Sequence, residues 1–237
     1  MDPNGDLGPA TTTSLVGTLR KLIADGRYAA GSRLGEEAVA AALGVSRTPV
    51  RLAFRTLAQE GLLQSAGKRG FVVREFSADD VHCAVEVRGV LEGLAARRLA
   101  ERGATDAERA TLQACIAEGE AVLAAGRLEE AGIEAWSRLN ARFHACIVGS
   151  GGSRVIGDAI ARNNHLPFAS ADSITVESGA LEREYQKLRF AQLQHRLVVE
   201  ALLGRESARV EMLMREHALV GVRYATLFGL DPVLQPG

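Results

Sequence analysis

The chain has 237 residues, 47% of them apolar, and a formal net charge of −1. That is enough for two modest cores, and bulk charge alone does not suggest a nucleic-acid partner. No apolar run is long enough to cross a bilayer and no secretory segment is evident. The three cysteines, Cys83, Cys115 and Cys146, are odd in number and lack metal-type spacing, which predicts reduced thiols in a cytoplasmic protein. The charge is unevenly divided. Residues 1–74 carry ten Lys and Arg against six Asp and Glu, and residues 75–237 carry 18 against 23.

The first dozen residues, rich in Gly, Pro, Asp and Thr, read as a loose tail over 1–12. Leu15, Val16, Leu19, Leu22 and Ile23 form the stripe of a first helix from about Thr13 to Asp25, and Gly35 to Leu43 reads as a short second one with Val39 and Leu43 inward. Leu43-Gly44-Val45 then turns the chain, with Gly44 free to take positive φ, and Ser46 is expected to cap a third helix with its side-chain oxygen. Pro49 falls in that helix's first turn, where a missing N–H is tolerated. Val50, Phe54 and Leu57 make its apolar face, while Arg47, Arg51 and Arg55 make a separate cationic face suited to a phosphate-edged groove. Such arginines are also what an ordinary solvated helix face carries. After Gly61, Leu62-Leu63-Gln64 and Phe71-Val72-Val73 flank a basic, glycine-bearing turn and predict a two-stranded hairpin. Three helices and a basic hairpin over 13–75 make a winged helix-turn-helix.

The pattern Gly31, Leu34, Glu36, Ala40, Leu43 to Arg51, Leu57, Glu60-Gly61-Leu62 and Gly70 resembles the DNA-binding domain of the GntR family of bacterial transcription regulators. The resemblance implies a double-stranded operator as partner. Its implied contact set is Ser46, Arg47, Thr48, Arg51 and Arg55 on the third helix, with Lys68, Arg69 and Gly70 in a wing that enters the minor groove. Two positions depart from the family pattern. Glu37 stands where many relatives carry a DNA-contacting arginine, and Leu52 where a glutamate usually follows the second arginine.

From Ser77 the pattern is helical almost throughout, with helices expected at about 78–102, 106–125, 128–148, 152–164, 180–203 and 206–228. Breaks fall at Gly149 to Gly152 and at His165 to Gly179. Ser77 with Asp80, and Thr105 with Glu108, have capping-box spacing. The fold class is therefore mainly α: the winged domain, then an all-α six-helix antiparallel bundle over 78–229 able to enclose a pocket. Asn140 and His144 share one helix face. His195 and His217 stand about equally far from the turn near Gly204 to Ser207, so an antiparallel hairpin brings them to one level. Three imidazoles and an amide oxygen suit a divalent metal, although histidines at such spacing also serve as satisfied core residues. Arg88 suits an effector carboxylate, or equally a partner for Glu92 one turn later. Arg142 is expected to point away as a solvated charge, and Trp136 to fill the core.

Arg88 to Glu92, Asn140 to His144, His195 with Glu200-Ala201-Leu202, and Ala208 with Met212, Met214 and His217 resemble the FCD ligand-binding domain of FadR-type GntR regulators, in its VanR-like, metal-binding branch. The resemblance implies a homodimer and a metal on Asn140, His144, His195 and His217. Zinc is the default and nickel or manganese are alternatives, with a small organic acid completing the coordination. Asn140 replaces the usual aspartate, and a neutral amide is the weaker ligand. The expected function is a metabolite-responsive transcription regulator, a repressor by the commoner logic. Two alternatives stay open: a DNA-binding dimer without a metal effector site, and a histidine-ligated metalloenzyme. The second lacks a carboxylate evidently positioned as a general base beside the histidines and any HExxH motif.

Overall fold

A computed structural model describes residues 12–24, 26–67, 70–164, 166 and 181–220. The chain divides at Phe76/Ser77 into two compact units. Residues 1–11 of the expected tail over 1–12, the wing tip at Lys68 and Arg69, residues 165 and 167–179 of the expected break, and the last helix beyond 220 lie outside the described residues; Thr12, expected in the tail, begins the first helix.

In the first unit, α1 (Thr12–Ala24), α2 (Glu36–Leu43) and α3 (Arg47–Gln59) enclose a core of Leu15, Leu19, Val50, Phe54, Leu57 and Leu62. Phe54, fully buried, meets Phe71 edge to face at 5.4 Å. Arg20 on α1 closes the far end by a bidentate pair with Glu60, with Nη2 2.9 Å from Oε1. The turn between α2 and α3 works as the residues require. Gly44 sits at φ 65°, and the Val45 N–H reaches back to the Ala40 carbonyl at 3.0 Å. Ser46 stands at the cap of α3 in extended geometry, but its side chain makes no capping bond. The cause is in the sequence: the third position of the helix, whose N–H a serine cap normally receives, is Pro49, which has none.

The hairpin pairs β2 (Leu63–Ser65) with β3 (Phe71–Val73), with Gln64 opposite Val72. A third strand, β1 (Arg33–Leu34), pairs antiparallel with the other side of β3, giving the order β1-β3-β2. Two residues are too short to carry an alternation signal, so the sequence predicts two strands where the described residues form three. Gly70 has a backbone role in this sheet: its φ is 95°, and a Cβ there would lie 3.0 Å from the Leu34 carbonyl oxygen.

The second unit contains α4 (Ala78–Arg102), α5 (Asp106–Leu123), α6 (Glu130–Ser150), α7 (Arg154–Asn163), α8 (Leu181–Leu203) and α9 (Ser207–Ala218). Leu99, Leu112, Phe143, Ile147, Val198 and Met214 contribute to its main core. The packing of α4 on α9 is unusually close because Gly89 and Gly93 face it. A Cβ on Gly93 would stand 2.8 Å from the Glu211 carbonyl oxygen and one on Gly89 would stand 3.0 Å from the Ala218 Cβ. Both expected capping boxes are present, Ser77 with Asp80 and Thr105 with Glu108. The three cysteines are free thiols. Among the described residues, no helix is long and apolar enough to cross a membrane.

Glu108 yields a stability prediction. Burial would raise its pKa, but the Thr105 backbone and side chain, Ser150 and Arg102 outweigh it and hold the carboxyl down to about 2. A depressed carboxylate contributes stability above its unfolded value and loses it as pH falls toward the folded one. Glu108→Gln is therefore expected to cost about 1 kcal/mol at neutral pH. The gap between its melting temperature and the wild type's should close as pH falls from the ordinary glutamate value of 4.5 toward about 2. A gap that persists at the lowest pH would refute this.

Candidate functional site

On α3, Val50, Ala53, Phe54 and Leu57 are buried, and Arg47, Thr48, Arg51 and Arg55 line the exposed side, as does Ser46 at its cap. The helix thus presents one continuous polar and cationic face. Leu52 is set into that face and is 46% exposed. Arg51 is not a bare cation: its Nε lies 3.0 Å from each oxygen of Glu36 on α2, and its Nη2 lies 3.0 Å from Oε2. Glu37, beside it, is exposed. Gly70 is placed at the start of β3, and Lys68 and Arg69 lie outside the described residues.

In the second unit the structure brings together His144 of α6, His195 of α8 and His217 of α9, all buried, with their ligand atoms within 4.8 Å of one another. The Nε2 atoms of His195 and His217 are 3.0 Å apart, and those of His217 and His144 are 3.3 Å apart. Asn140 is buried one turn before His144 on α6. His82 sits on α4 outside this cluster, and His165 is outside the described residues.

The surroundings set the rings' protons. His217 Nδ1 lies 3.0 Å from Gln194 Oε1, an acceptor, so the N–H is on Nδ1 and the Nε2 lone pair faces inward. His144 Nδ1 lies 3.1 Å from Glu92 Oε2, although the approach falls short of straight hydrogen-bond geometry. Burial would raise the Glu92 pKa, but His144 first, and then Arg88 and His217, outweigh it and hold the carboxyl below its ordinary value. Glu92 therefore draws the His144 proton to Nδ1. The sequence shows no carboxylate placed as a general base beside the histidines; a carboxylate does stand there, Glu92, brought by α4, an element whose place in space the sequence does not show. It faces Nδ1 of His144, whereas the cluster gathers at Nε2, so it is placed to orient the ring.

His195 is wholly buried and stacks on Phe143 at 4.1 Å and on Trp136 at 5.8 Å, nearly parallel to the latter. Trp136 is thus both core and site wall. Burial first, then the neighbouring histidines, pushes the His195 pKa well below its usual value. Burial, then His144, pushes His217 down to about 3, with Glu92 opposing. Both rings are neutral at physiological pH, the form that ligates.

The donor set fits a divalent cation. Ligands at about 2.0–2.1 Å from one ion stand about 3.0 Å apart at right angles and about 3.4 Å apart in a tetrahedron. The two observed separations, 3.0 and 3.3 Å, match that range. A proton on His195 Nε2 could satisfy the contact with His217. The 3.3 Å contact between His217 and His144 would still set lone pair against lone pair, which a shared cation relieves. Gln194 and Glu92 are the orienting partners that metal-bound imidazoles ordinarily have, and neither carried a signal in the sequence.

Arg88 is buried beside this cluster, and its Nη2 donates to the Ala218 carbonyl at the end of α9 at 3.0 Å. Its charge is felt by Glu92 and by His217. Neither expected partner therefore accounts for its position alone, because a helix-end carbonyl is also among its acceptors. Arg142 points away from the cluster and pairs with Glu118 at 2.7 Å on the surface.

Residues 11–73 match the family described as bacterial regulatory proteins, gntR family, and residues 83–219 match the FCD domain. The HTH-type transcriptional regulator YdhC of Bacillus subtilis is 31% identical over 148 residues, which are 62% of this chain and 64% of that protein. A probable D-xylose utilization operon transcriptional repressor of Paenarthrobacter nicotinovorans is 44% identical over 101 residues, 41% of this chain and 45% of that one. The chain spans less than two thirds of either relative. The solved structure of E. coli McbR/YncC shares the fold with a TM-score of 0.61 at 20% identity, covering 92% of this chain and 96% of that one.

Proposed function

The chain belongs to the GntR family of bacterial regulatory proteins and carries an FCD domain, so it is a DNA-binding transcription regulator; from that premise we propose that a small organic acid, held at a divalent metal in the helical unit, modulates its operator binding. The observation that carries the metal part is the convergence of three buried imidazoles, with the His217 Nε2 at ligand-ligand spacing from the Nε2 of both His195 and His144. His144, His195 and His217 would hold the ion and Asn140 is the candidate fourth donor. Zinc is the default on histidine preference, with nickel or manganese the alternatives. The ion supplies charge that fixes a carboxylate. Arg88, beside it, offers the matching guanidinium.

On the DNA side, Ser46, Arg47, Thr48, Arg51 and Arg55 would meet the operator, with Lys68, Arg69 and Gly70 as the wing. A homodimer would place two recognition helices on a pseudo-palindrome. Acid binding and DNA binding would then be coupled reciprocally through two arrangements of the helical unit. The relative from P. nicotinovorans, named a repressor, favours repression as the sense of the switch. A cytoplasmic location accords with free thiols and a DNA partner.

Two measurements test this. Arg47→Ala and Arg51→Ala are each expected to weaken operator binding by about 10- to 100-fold, the range for a base-reading or phosphate-bound arginine. Full affinity and specificity in both variants would refute the placement of the recognition helix. Elemental analysis of natively purified protein is expected to find one metal per chain, and titration with small carboxylic acids to shift the DNA affinity of the metal-loaded protein. A metal-free protein that takes up no metal on titration would sink the sensing site while leaving the DNA reading intact.

A further inference from the structure

We propose that Glu36 is a positioning residue for base recognition: its carboxylate clamps the side edge of the Arg51 guanidinium and leaves the end-on fork to read the operator. This rests on α3 being the recognition helix. The three contacts, Nε to both oxygens and Nη2 to Oε2, each 3.0 Å, occupy the edge of the guanidinium that runs from Nε to Nη2. The protons left over are the two of Nη1 and the outer one of Nη2. The outer Nη2 proton and the Nη1 proton parallel to it form the pair that matches O6 and N7 of guanine in the major groove.

Several features point to recognition over stability. The Arg51 side chain is 50% exposed, so the ion pair contributes little to folding. The carboxylate, 19% exposed, lies beneath the cationic face, near enough to Arg47 and Arg55 for their charges to act on it. An acid in that position repels phosphates, so charge alone predicts weaker DNA binding. What the acid gives in return is order. A free arginine samples many rotamers that binding must freeze, whereas one clamped across two helices already holds its plane. Glu37, the next residue, is a built-in control: it is exposed, bears the same charge, and makes no such clamp among the described residues.

The test uses full-length protein and a duplex enriched by the wild type from a random library, compared with a scrambled duplex of equal composition. Glu36→Gln is expected to lower the enriched-to-scrambled affinity ratio by about tenfold, with binding to the scrambled duplex unchanged or tighter. Glu37→Gln is expected to tighten both duplexes alike and leave the ratio unchanged. In an Arg51→Ala background, Glu36→Gln should change the ratio no further. If Glu36→Gln tightens both duplexes equally, as the neighbour does, the clamp is overturned and Glu36 is only a like-charged obstacle. If Arg51→Ala itself leaves the ratio at wild type, the reading of α3 has failed instead. Should Glu36→Gln lower the melting temperature, Glu36→Asp carries the test, since it keeps the charge and shortens the arm. A reduced ratio there supports the clamp, and a wild-type ratio overturns it.

Discussion

Replacing His217 by alanine is expected to strip the helical unit of its metal and of its response to acids, while DNA binding without acid stays near wild type. His217 is the centre of the cluster, since its Nε2 is the one within 3.3 Å of both of the others. Removing it leaves two imidazoles that are not placed against each other, with the weaker amide of Asn140 as the one other candidate donor, too poor a set to hold the ion tightly. Metal content should fall from one per chain to near zero. Variants of the orienting residues, Gln194→Ala and Glu92→Gln, should lose about 10- to 100-fold in metal affinity, the range for outer-shell partners of ligating histidines. Metal that binds only the folded chain stabilises it by about 2.7 kcal/mol at a hundred times its Kd, so chelation should lower the melting temperature of the wild type and not that of His217→Ala. Asn140→Asp separates ligand from bystander. A carboxylate should tighten binding if position 140 reaches the ion, and a buried uncompensated charge should destabilise the unit if it does not. Stoichiometric metal retained by His217→Ala would overturn the site.

How legible this was in the sequence depended on whether the signal was periodic, local or spatial. The helices beginning at Ala78 and Asp106 were legible because serine or threonine three residues before an acid is a local device, and both boxes formed. The common level of His195 and His217 was legible because a short turn between two long helices makes counting equivalent to measuring. Glu92 and Gln194 were not legible as partners of those rings. Each sits on a different helix from the histidine it orients, Glu92 on α4 against His144 on α6 and Gln194 on α8 against His217 on α9, so only the tertiary packing brings them into range. The strand Arg33–Leu34 was too short to show a period. The Ser46 cap was a misreading that the sequence could have prevented, because Pro49 removes the donor. The clamp on Arg51 spans 15 positions between two helices and had no local mark at all.

Phe54→Ala is expected to unfold the first unit and abolish DNA binding while the helical unit stays folded and keeps its metal. The side chain is fully buried at the junction of α3 and the sheet, in contact with Phe71. Truncating a buried phenylalanine costs about 3–5 kcal/mol, the lost transfer energy plus the cavity left behind. A domain of this size holds roughly 0.05–0.15 kcal/mol per residue, so the loss is comparable to everything it has. The damage should stay local because, among the described residues, each unit has a core of its own. The cluster containing Phe54 draws on Leu15 through Phe76, and those of the helical unit draw only on later residues. Limited proteolysis should therefore digest the variant up to the boundary near Ser77 and spare a helical fragment, where the wild type resists cleavage. Metal content and the helical signal of that fragment should match those of the intact protein. If the variant instead loses both units in one cooperative transition, the cores are not independent. If it binds DNA at wild-type affinity, Phe54 is not the keystone of the reading head.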